Sequence, residues 1–239
     1  MIIVPARIGS SRFPNKVLAE IGGIPMVIRT AMAVDSIDKV VIATDSQDVI
    51  AIARKYGIDA VMTSEHHQSG TDRIYEAVQK LGLPDNEIVI NVQGDEPFIE
   101  TDVVRAIYHL TQKNKDKKKI MMNSCYKYIS NPEADDPNLV KVVTDRDDIA
   151  LYFSRAKIPY PRDHHFEHYK GHLGIYGFTV NSLELFCSLP PAPLEHIEKL
   201  EQLRALYHGY KIAMAEVQTQ SFGIDTQEDL ERAIKYHRL

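Results

Sequence analysis

Short apolar runs alternate with amphipathic helical patterns through the first half of this 239-residue chain. The four runs are MIIV, KVVIAT, DAVMT and EIVINV, and a segment with helical spacing of apolar residues follows each one. Strands that are apolar throughout are buried on both faces, which is typical of a parallel sheet covered by helices. The alternation therefore predicts an α/β fold, a Rossmann-like three-layer α/β/α sandwich with a mostly parallel sheet.

The second half has a less regular pattern and predicts a mixed α+β region. Strand-like segments such as IMMNSCYKY, LVKVVT, HLGIYGFTV and KIAMAEV have fewer helical patterns between them. We expect one helix in LEHIEKLEQLRALYHG, because its apolar residues share a helical face. These residues are Ile197, Leu200, Leu203 and Tyr207. We expect a final helix in TQEDLERAIKYH, where Thr226 and Asp229 have the spacing of a capping box.

Composition limits the classes of partner. A chain that is 44% hydrophobic can bury a sizeable core, and we expect a single domain over 1–239 with its less regular part at about 120–215. The net charge of −5 gives no overall attraction for nucleic acid or an anionic membrane, so anion binding requires a local basic cluster. Two cysteines far apart in sequence favour reduced thiols, and we expect a cytoplasmic protein without a membrane span.

A basic loop without an acid follows the first predicted strand. Its sequence, ARIGSSRFPNK, contains three cations together with glycine and serines. The cations are Arg7, Arg12 and Lys16. In a parallel sheet, ligands bind where strands end, and exposed amides with cations there suit a triphosphate. A solvated turn with three unrelated cations is the alternative, since neither GxxxxGK[ST] nor GxGxxG is present.

Acidic residues follow another strand-like run. EIVINV leads into QGDEP, so Asp95 and Glu96 lie at the same end of the sheet if that strand is parallel to the first. Magnesium takes one or two carboxylates and completes its shell with water and phosphate oxygens. A turn acid or helix cap remains open for Asp95. Asp225, which precedes the last predicted helix, has a similar alternative, because the helix dipole favours an acid there.

Two polar segments have structural interpretations beside functional ones. SGTDR is either a helix start, which we favour, or a loop that reads a base; it contains Ser69, Gly70, Thr71 and Arg73. Four histidines crowd one segment without the HExxH pattern, which favours a surface cluster over a zinc site. They are His164, His165, His168 and His172.

Eight motifs in order resemble the 3-deoxy-manno-octulosonate cytidylyltransferases, or CMP-Kdo synthetases. They are PARIGSSRFPNK, SGTDR, NVQGDEP, PNLVKVV, LYFSRAKIPYPR, HLGIYGF, IEKLEQLR and GIDTQEDL, and the match runs from Met1 to about Tyr236. PAR followed by SxRxPxK is shared more widely among nucleotidyltransferases that make activated sugars. LYFSR, HxGxYGF and EKLEQLR are much more specific to this family.

The resemblance implies transfer of CMP from CTP to 3-deoxy-D-manno-octulosonate (Kdo), giving CMP-Kdo and pyrophosphate for lipopolysaccharide biosynthesis. It implies Mg²⁺ as cofactor, held by Asp95 and Asp225, and a homodimer formed through the second half. It assigns catalysis to Arg7, Lys16 and Asp95. Nucleotide contacts are carried over to Ala6, Arg7, Ser10, Arg12, Lys16, Ser69, Gly70, Thr71 and Arg73. Kdo contacts are carried over to Gln93, Arg155, His172, Tyr176, Glu201 and Gln202.

Pattern alone assigns several of these residues differently. Glu201 and Gln202 would be a solvated helix face, Tyr176 a core aromatic and His172 a satisfied strand histidine. CTP-dependent activation of another acidic 2-keto sugar is the nearest alternative function, and a noncatalytic nucleotide-binding protein is the alternative from a different class. The missing glycine fingerprint disfavours a dehydrogenase.

Overall fold

The computed structural model describes residues 1–9, 13–67, 69–163, 166 and 168–237. Over these residues the strands are β1 (Ile2–Ala6), β2 (Glu20–Ile21), β3 (Ile24–Pro25), β4 (Val40–Thr44), β5 (Asp59–Met62), β6 (Ile88–Asn91), β7 (Ile120–Ile129), β8 (Lys141–Thr144), β9 (Ala150–Ser154), β10 (Tyr169–Thr179) and β11 (Lys211–Glu216). The helices are α1 (Met26–Val34), α2 (Gln47–Lys55), α3 (Gly70–Leu81), α4 (Thr101–Asn114), α5 (Val180–Ser188), α6 (Pro193–Glu198), α7 (Leu203–Tyr207) and α8 (Gln227–His237).

One large mixed sheet organises the chain. Its main strand order is β11-β7-β10-β6-β1-β4-β5, with β8 and β9 added beside β10. Strand β1 is parallel to β4 and β6, and β5 is parallel to β4. Strand β10 runs antiparallel to both β6 and β7. The predicted α/β fold with a mostly parallel sheet and helices on both sides is confirmed.

The apolar strands are buried because helices cover both faces of the sheet. Ile2 and Val4 of β1 pack into one hydrophobic cluster, with residues of α1, α2 and α4. Ile3 belongs to a second cluster, with residues of α3 and α5. Successive side chains of a strand point to opposite faces, so β1 contributes to both cores. This explains why the first strand is apolar at consecutive positions rather than at alternate ones.

The single helix predicted in LEHIEKLEQLRALYHG is wrong. The segment forms two short helices, α6 and α7, and between them Lys199 has a left-handed backbone with φ of 54°. Leu200 and Leu203 are buried, but Ile197 is 76% exposed and Tyr207 is 53% exposed. The break at Lys199 turns the chain, so residues spaced for one helical face no longer share one. A non-glycine residue in this conformation gives no simple sequence signal.

Other parts of the second half agree with expectation or extend it. The Thr226 and Asp229 capping box before α8 is confirmed, since each side chain bonds the other's backbone N–H at 3.1 Å. Strand β9 and helix α5 were not predicted. Both cysteines are free, Cys125 in the core and Cys187 half-buried. No helix in the described ranges is long and apolar enough to span a membrane.

Candidate active site

The basic loop and the QGDEP loop lie side by side because β1 and β6 are parallel neighbours. Ile3 of β1 is in register with Asn91 of β6, and each loop leaves the carboxyl end of its strand. The backbones also approach closely beyond the strands. A Cβ atom on Gly94 would lie 2.7 Å from the carbonyl oxygen of Pro5, so a side chain at position 94 would push the loops apart.

Lys16 lies between the two acids that sequence spacing alone could not connect. Its Nζ donates to Asp95 Oδ2 at 2.6 Å and to Asp225 Oδ1 at 2.8 Å. The lysine is buried, which alone lowers its pKa, but the two carboxylates outweigh this effect and raise the pKa above its ordinary value. Lys16 is therefore a fixed cation at neutral pH. The basic loop, QGDEP and GIDTQEDL meet at this nitrogen.

The other residues of the basic loop are placed only in part. Ala6 is the last, buried residue of β1, and Arg7 follows it with an exposed side chain. Ser10 and Arg12, both predicted to bind nucleotide, lie outside the described residues. Arg7 and Lys16 thus bracket the loop, with Arg7 exposed beside the strand and Lys16 anchored between two acids.

Arg73 lies in a buried network rather than against solvent. Its guanidinium donates to Thr63 Oγ1 at 2.6 Å and to Asp45 Oδ2 at 2.7 Å. The other oxygen of Asp45 accepts the backbone N–H of Ile8, at 3.1 Å. Since Ile8 belongs to the basic loop, Arg73 is linked to that loop through Asp45.

The start of α3 lies between the basic loop and the second half of the chain. Ser69 caps the helix, and its hydroxyl accepts the N–H of Asp72 at 3.1 Å, so the cap interpretation of SGTDR is confirmed. A Cβ atom on Gly70 would lie 3.3 Å from Pro5 Cγ and 3.4 Å from Gln93 Oε1. The Thr71 hydroxyl donates to Glu201 Oε1 at 2.8 Å. The first turn of α3, itself predicted to bind nucleotide, therefore lies against Gln93 and Glu201, which are both predicted to bind Kdo.

Gln202 is buried, and Glu201 is half-buried with a buried carboxylate oxygen, so the pattern-based assignment to a solvated helix face is wrong. Gln202 Oε1 accepts from the Tyr176 hydroxyl at 3.2 Å. Within the described part of the chain, Gln202 Nε2 and Glu201 Oε2 are buried without a hydrogen-bond partner. Burial raises the Glu201 pKa, and the Thr71 hydroxyl opposes this shift. Buried polar groups normally have partners, and these two atoms can serve a polar ligand.

Gln93, His172 and Tyr176 lie on or beside β6 and β10. Gln93 Nε2 donates to the carbonyl of Gly174 at 3.2 Å. The His172 Nε2 lies 2.9 Å from Ser124 Oγ, and its ring packs 5.6 Å from that of Tyr176. Burial lowers the His172 pKa to about 3, so the ring is neutral at pH 7. It can form hydrogen bonds but carries no charge.

Arg155 holds the turn that presents Glu201 and Gln202. Its Nε donates to the Glu198 carbonyl at 2.7 Å and its Nη1 to the Pro137 carbonyl at 3.0 Å. The Glu198 carboxylate in turn accepts the Arg155 N–H, at 2.9 Å. These bonds fix the end of α6 just before Lys199. These bonds give Arg155 a structural role, and its predicted contact with Kdo stays a prediction.

The donor set suits a hard divalent cation. Asp95 and Asp225 each direct a carboxylate oxygen at Lys16 Nζ, so the two acids lie close together, and magnesium commonly uses one or two protein carboxylates with water and phosphate oxygens. Behind them, burial and the charge of Asp95 raise the pKa of Glu96 to about 7. Among the residues described, no three His, Cys, Asp or Glu side chains form a cluster that could hold a metal.

The histidine segment is only partly described, since His164 and His165 lie outside the described residues. His168 packs edge-on against the Tyr128 ring, with centroids 6.0 Å apart. His172 bonds Ser124 instead. The two described histidines therefore have separate partners.

Two site residues were missed by sequence reasoning, Asp45 and Ser221. Asp45 directly follows β4, just as the QGDEP loop follows β6, so its position at the end of a central strand is a usable signal. Ser221 donates to Glu96 Oε2 at 3.0 Å, across 125 residues of sequence. No local pattern indicates that contact.

Comparisons with known proteins agree with this geometry. The profile of the family described as cytidylyltransferase matches residues 1–212. A 3-deoxy-manno-octulosonate cytidylyltransferase from a Nitratiruptor species is 59% identical over 232 residues, which cover 97% of each chain. One from Wolinella succinogenes is 53% identical over 239 residues and covers 98% of each.

A solved structure is also similar along the whole length. It is described as CMP:2-keto-3-deoxy-manno-octonic acid synthetase complexed with CTP, and it superimposes with a TM-score of 0.88 at 39% identity. The match covers 100% of this chain and 98% of that one. The chain therefore belongs to the cytidylyltransferase family, among the 3-deoxy-manno-octulosonate cytidylyltransferases.

Proposed function

We propose that this protein transfers CMP from CTP to the anomeric hydroxyl of Kdo, forming CMP-Kdo and releasing pyrophosphate. The observation that carries the proposal is the contact of Lys16 with both Asp95 and Asp225 at the carboxyl end of the sheet. A buried cation beside two carboxylates suits a reaction in which phosphate charge moves while a metal ion is held nearby. The names and bound nucleotide of similar proteins support the choice of CTP and Kdo.

The nucleotide side uses fixed positive charge. Lys16 is held in place by its two acids, so it needs little reorganisation to stabilise charge that develops on the α-phosphate and the leaving pyrophosphate. Arg7, exposed beside the end of β1, adds a second cation to the same loop. Asp45 holds the Ile8 N–H and so keeps the first part of the loop against the sheet.

Asp95 and Asp225 are the residues that would hold Mg²⁺. Bound there, the ion would neutralise phosphate charge and increase the electrophilicity of the α-phosphate. The two carboxylates come from separate loops, so their relative position depends on how those loops are joined. Lys16 restrains both of them through one nitrogen.

The acceptor side offers neutral and acidic hydrogen-bonding groups in a buried setting. Gln202 Nε2 can donate and Glu201 Oε2 can accept, and neither atom has a protein partner among the described residues. A sugar hydroxyl can accept from the first atom and donate to the second. Neutral His172 and Tyr176 form the adjoining wall. Direct attack by the sugar hydroxyl requires no covalent enzyme intermediate.

The decisive experiment combines purified protein, CTP, Kdo and Mg²⁺ and follows pyrophosphate. Release that requires all four components supports the proposal, and nucleotide binding without release would indicate a noncatalytic protein. Competition between Kdo and another acidic 2-keto sugar at constant CTP tests the nearest alternative. The cytoplasmic location, the homodimer, and the single domain with an acceptor and dimerisation part at about 120–215 remain predictions.

A further inference from the structure

Three contacts fasten the segment before α8 to the QGDEP loop and its extension. The Gln220 N–H donates to Glu100 Oε1 at 3.1 Å, and the Ser221 hydroxyl donates to Glu96 Oε2 at 3.0 Å. The Ile224 N–H donates to the Asp95 carbonyl at 2.9 Å. These contacts lie between the two loops that carry Asp95 and Asp225.

Glu96 is the central residue of this connection. It directly follows Asp95, and its carboxylate contacts the segment at 219–223. Besides the Ser221 bond on Oε2, its Oε1 would lie 3.3 Å from a Cβ atom on Gly223. The carboxylate therefore contacts the chain just before Asp225 and limits how far that loop can move from QGDEP.

The backbone of Ser221 is itself held by two further hydrogen bonds. Its N–H donates to Thr219 Oγ1 at 2.9 Å, and its carbonyl accepts from Lys127 Nζ at 3.3 Å. Lys127 lies on β7 of the central sheet. The Ser221 hydroxyl is thus a supported donor, and the bond to Glu96 connects QGDEP to a fixed point.

We propose that Glu96 is a positioning residue that, through Ser221, sets the spacing of Asp95 and Asp225 for the metal. This inference rests on the proposed function, because it takes those two acids as the metal pair. Glu96 acts as a hydrogen-bond acceptor, not as a metal ligand or a general base. A glutamine at this position keeps a carbonyl oxygen that can accept from Ser221, so it should position the two acids as well as the glutamate does.

The test measures Mg²⁺ binding by calorimetry in the presence of CTP and without acceptor sugar. Ser221→Ala and Glu96→Ala should each weaken Mg²⁺ binding by about tenfold, which is typical when a hydrogen-bonding support of a metal ligand is lost. Glu96→Gln should remain within about twofold of the parent protein, because it keeps the acceptor. Ser188→Ala is the matched control, since that exposed serine bonds only within its own helix end.

The steady-state kinetics separate positioning from a general loss of structure. Ser221→Ala should raise the Mg²⁺ concentration needed for half-maximal rate and leave the KM for Kdo unchanged. If Ser221→Ala binds Mg²⁺ like Ser188→Ala, or if Glu96→Gln is as weak as Glu96→Ala, the proposal is wrong. Asp225→Asn separates failure of the proposed metal pair from failure of the positioning role of Glu96. Unchanged Mg²⁺ binding in that variant would overturn the metal pair and this inference with it. Should Glu96→Ala not fold, Ser221→Ala and Glu96→Gln still decide the result.

Discussion

The Arg73 guanidinium donates to Asp45 across 2.7 Å, and the side chains are only 3% and 10% exposed. The same carboxylate accepts the Ile8 N–H from the basic loop. An ion pair with so little water around it is costly to break, because the remaining charge has no compensation. The same ion pair therefore stabilises the carboxyl end of the sheet and holds the basic loop, which we assign to CTP binding.

Asp45→Ala should lower the free energy of unfolding by about 3 to 5 kcal/mol, since it leaves Arg73 buried and unpaired. It should also weaken CTP binding, because Ile8 loses its anchor. Urea denaturation and calorimetry measure the two effects. Asp59→Ala is the control: its partner Lys39 is exposed, so the loss should be below about 1 kcal/mol. Equal losses of unfolding free energy in the two variants would show that the buried Asp45–Arg73 pair contributes no more than an exposed pair.

Asp95→Asn and Asp225→Asn should each remove most turnover while the protein remains folded. The double variant should lose little beyond either single one, because residues that act as a unit are not additive. Initial rates with Kdo at saturating CTP and a range of Mg²⁺ concentrations provide the measurement, with circular dichroism as the check of folding. Near-normal turnover in a folded single variant would remove that acid from the site.

CTP should be preferred over UTP and purine triphosphates. Phosphate contacts alone accept every base, so the preference must come from groups near the basic loop and the start of α3. The relative kcat/KM values, with pyrophosphate as the product measured, test this. Equal rates with CTP and ATP would contradict the cytidylyl assignment even if pyrophosphate is released.

Gln202→Ala and Lys16→Ala should have different kinetic signatures. Loss of a sugar hydrogen bond typically costs about 0.5 to 1.5 kcal/mol, so Gln202→Ala should raise the KM for Kdo several-fold and leave CTP affinity nearly unchanged. Lys16→Ala should instead depress kcat with any acceptor, since the cation acts on charge that develops during transfer.

Gln227→Ala, at the start of α8 and bonded only to Glu231, is the matched control for this comparison. CTP affinity is measured by calorimetry and each substrate is varied in turn. If Gln202→Ala weakened CTP as much as Kdo, the division of the site into two parts would fail.

His172 should make stability depend on pH. Burial lowers its pKa from 6.5 to about 3, so below pH 6.5 the unfolded chain binds a proton that the folded protein does not. The stabilisation is present above pH 6.5 and is lost as the pH falls toward 3, by at most about 1.4 kcal/mol per pH unit. Between pH 7.5 and 5, stability relative to His172→Gln should fall by about 2 kcal/mol. A rise over this interval would indicate a charged, paired histidine instead.

The features that the sequence predicted best are those that depend on local pattern. Apolar strands and amphipathic helices in the first half indicated the sheet, and the strand ends then placed Lys16 and Asp95 on neighbouring loops. Asp225 could not be joined to them by spacing, because the contact spans 209 residues and depends on how the second half returns to the first. The resemblance made this connection where periodicity could not.

The errors also have physical causes. Lys199 adopts a left-handed conformation just after Glu198, whose carbonyl oxygen accepts from the distant Arg155, so the helical periodicity around Lys199 is misleading. The polarity of Gln202 favours exposure, but that break directs the side chain into the protein. The nucleotide contact of Arg73 stays a prediction; its pairing with Asp45 depends on how β4 and α3 pack together, which local pattern does not indicate.

The first turn of α3 couples the binding of one substrate to the binding of the other. Thr71 contacts Glu201 on the acceptor side, and two residues later Arg73 reaches the basic loop through Asp45. A ligand that shifts this turn at one end changes the binding free energy of the second ligand at the other end. Thermodynamic linkage requires this effect to be equal in both directions. Whatever factor CTP imposes on the affinity for the sugar, the sugar imposes on the affinity for CTP.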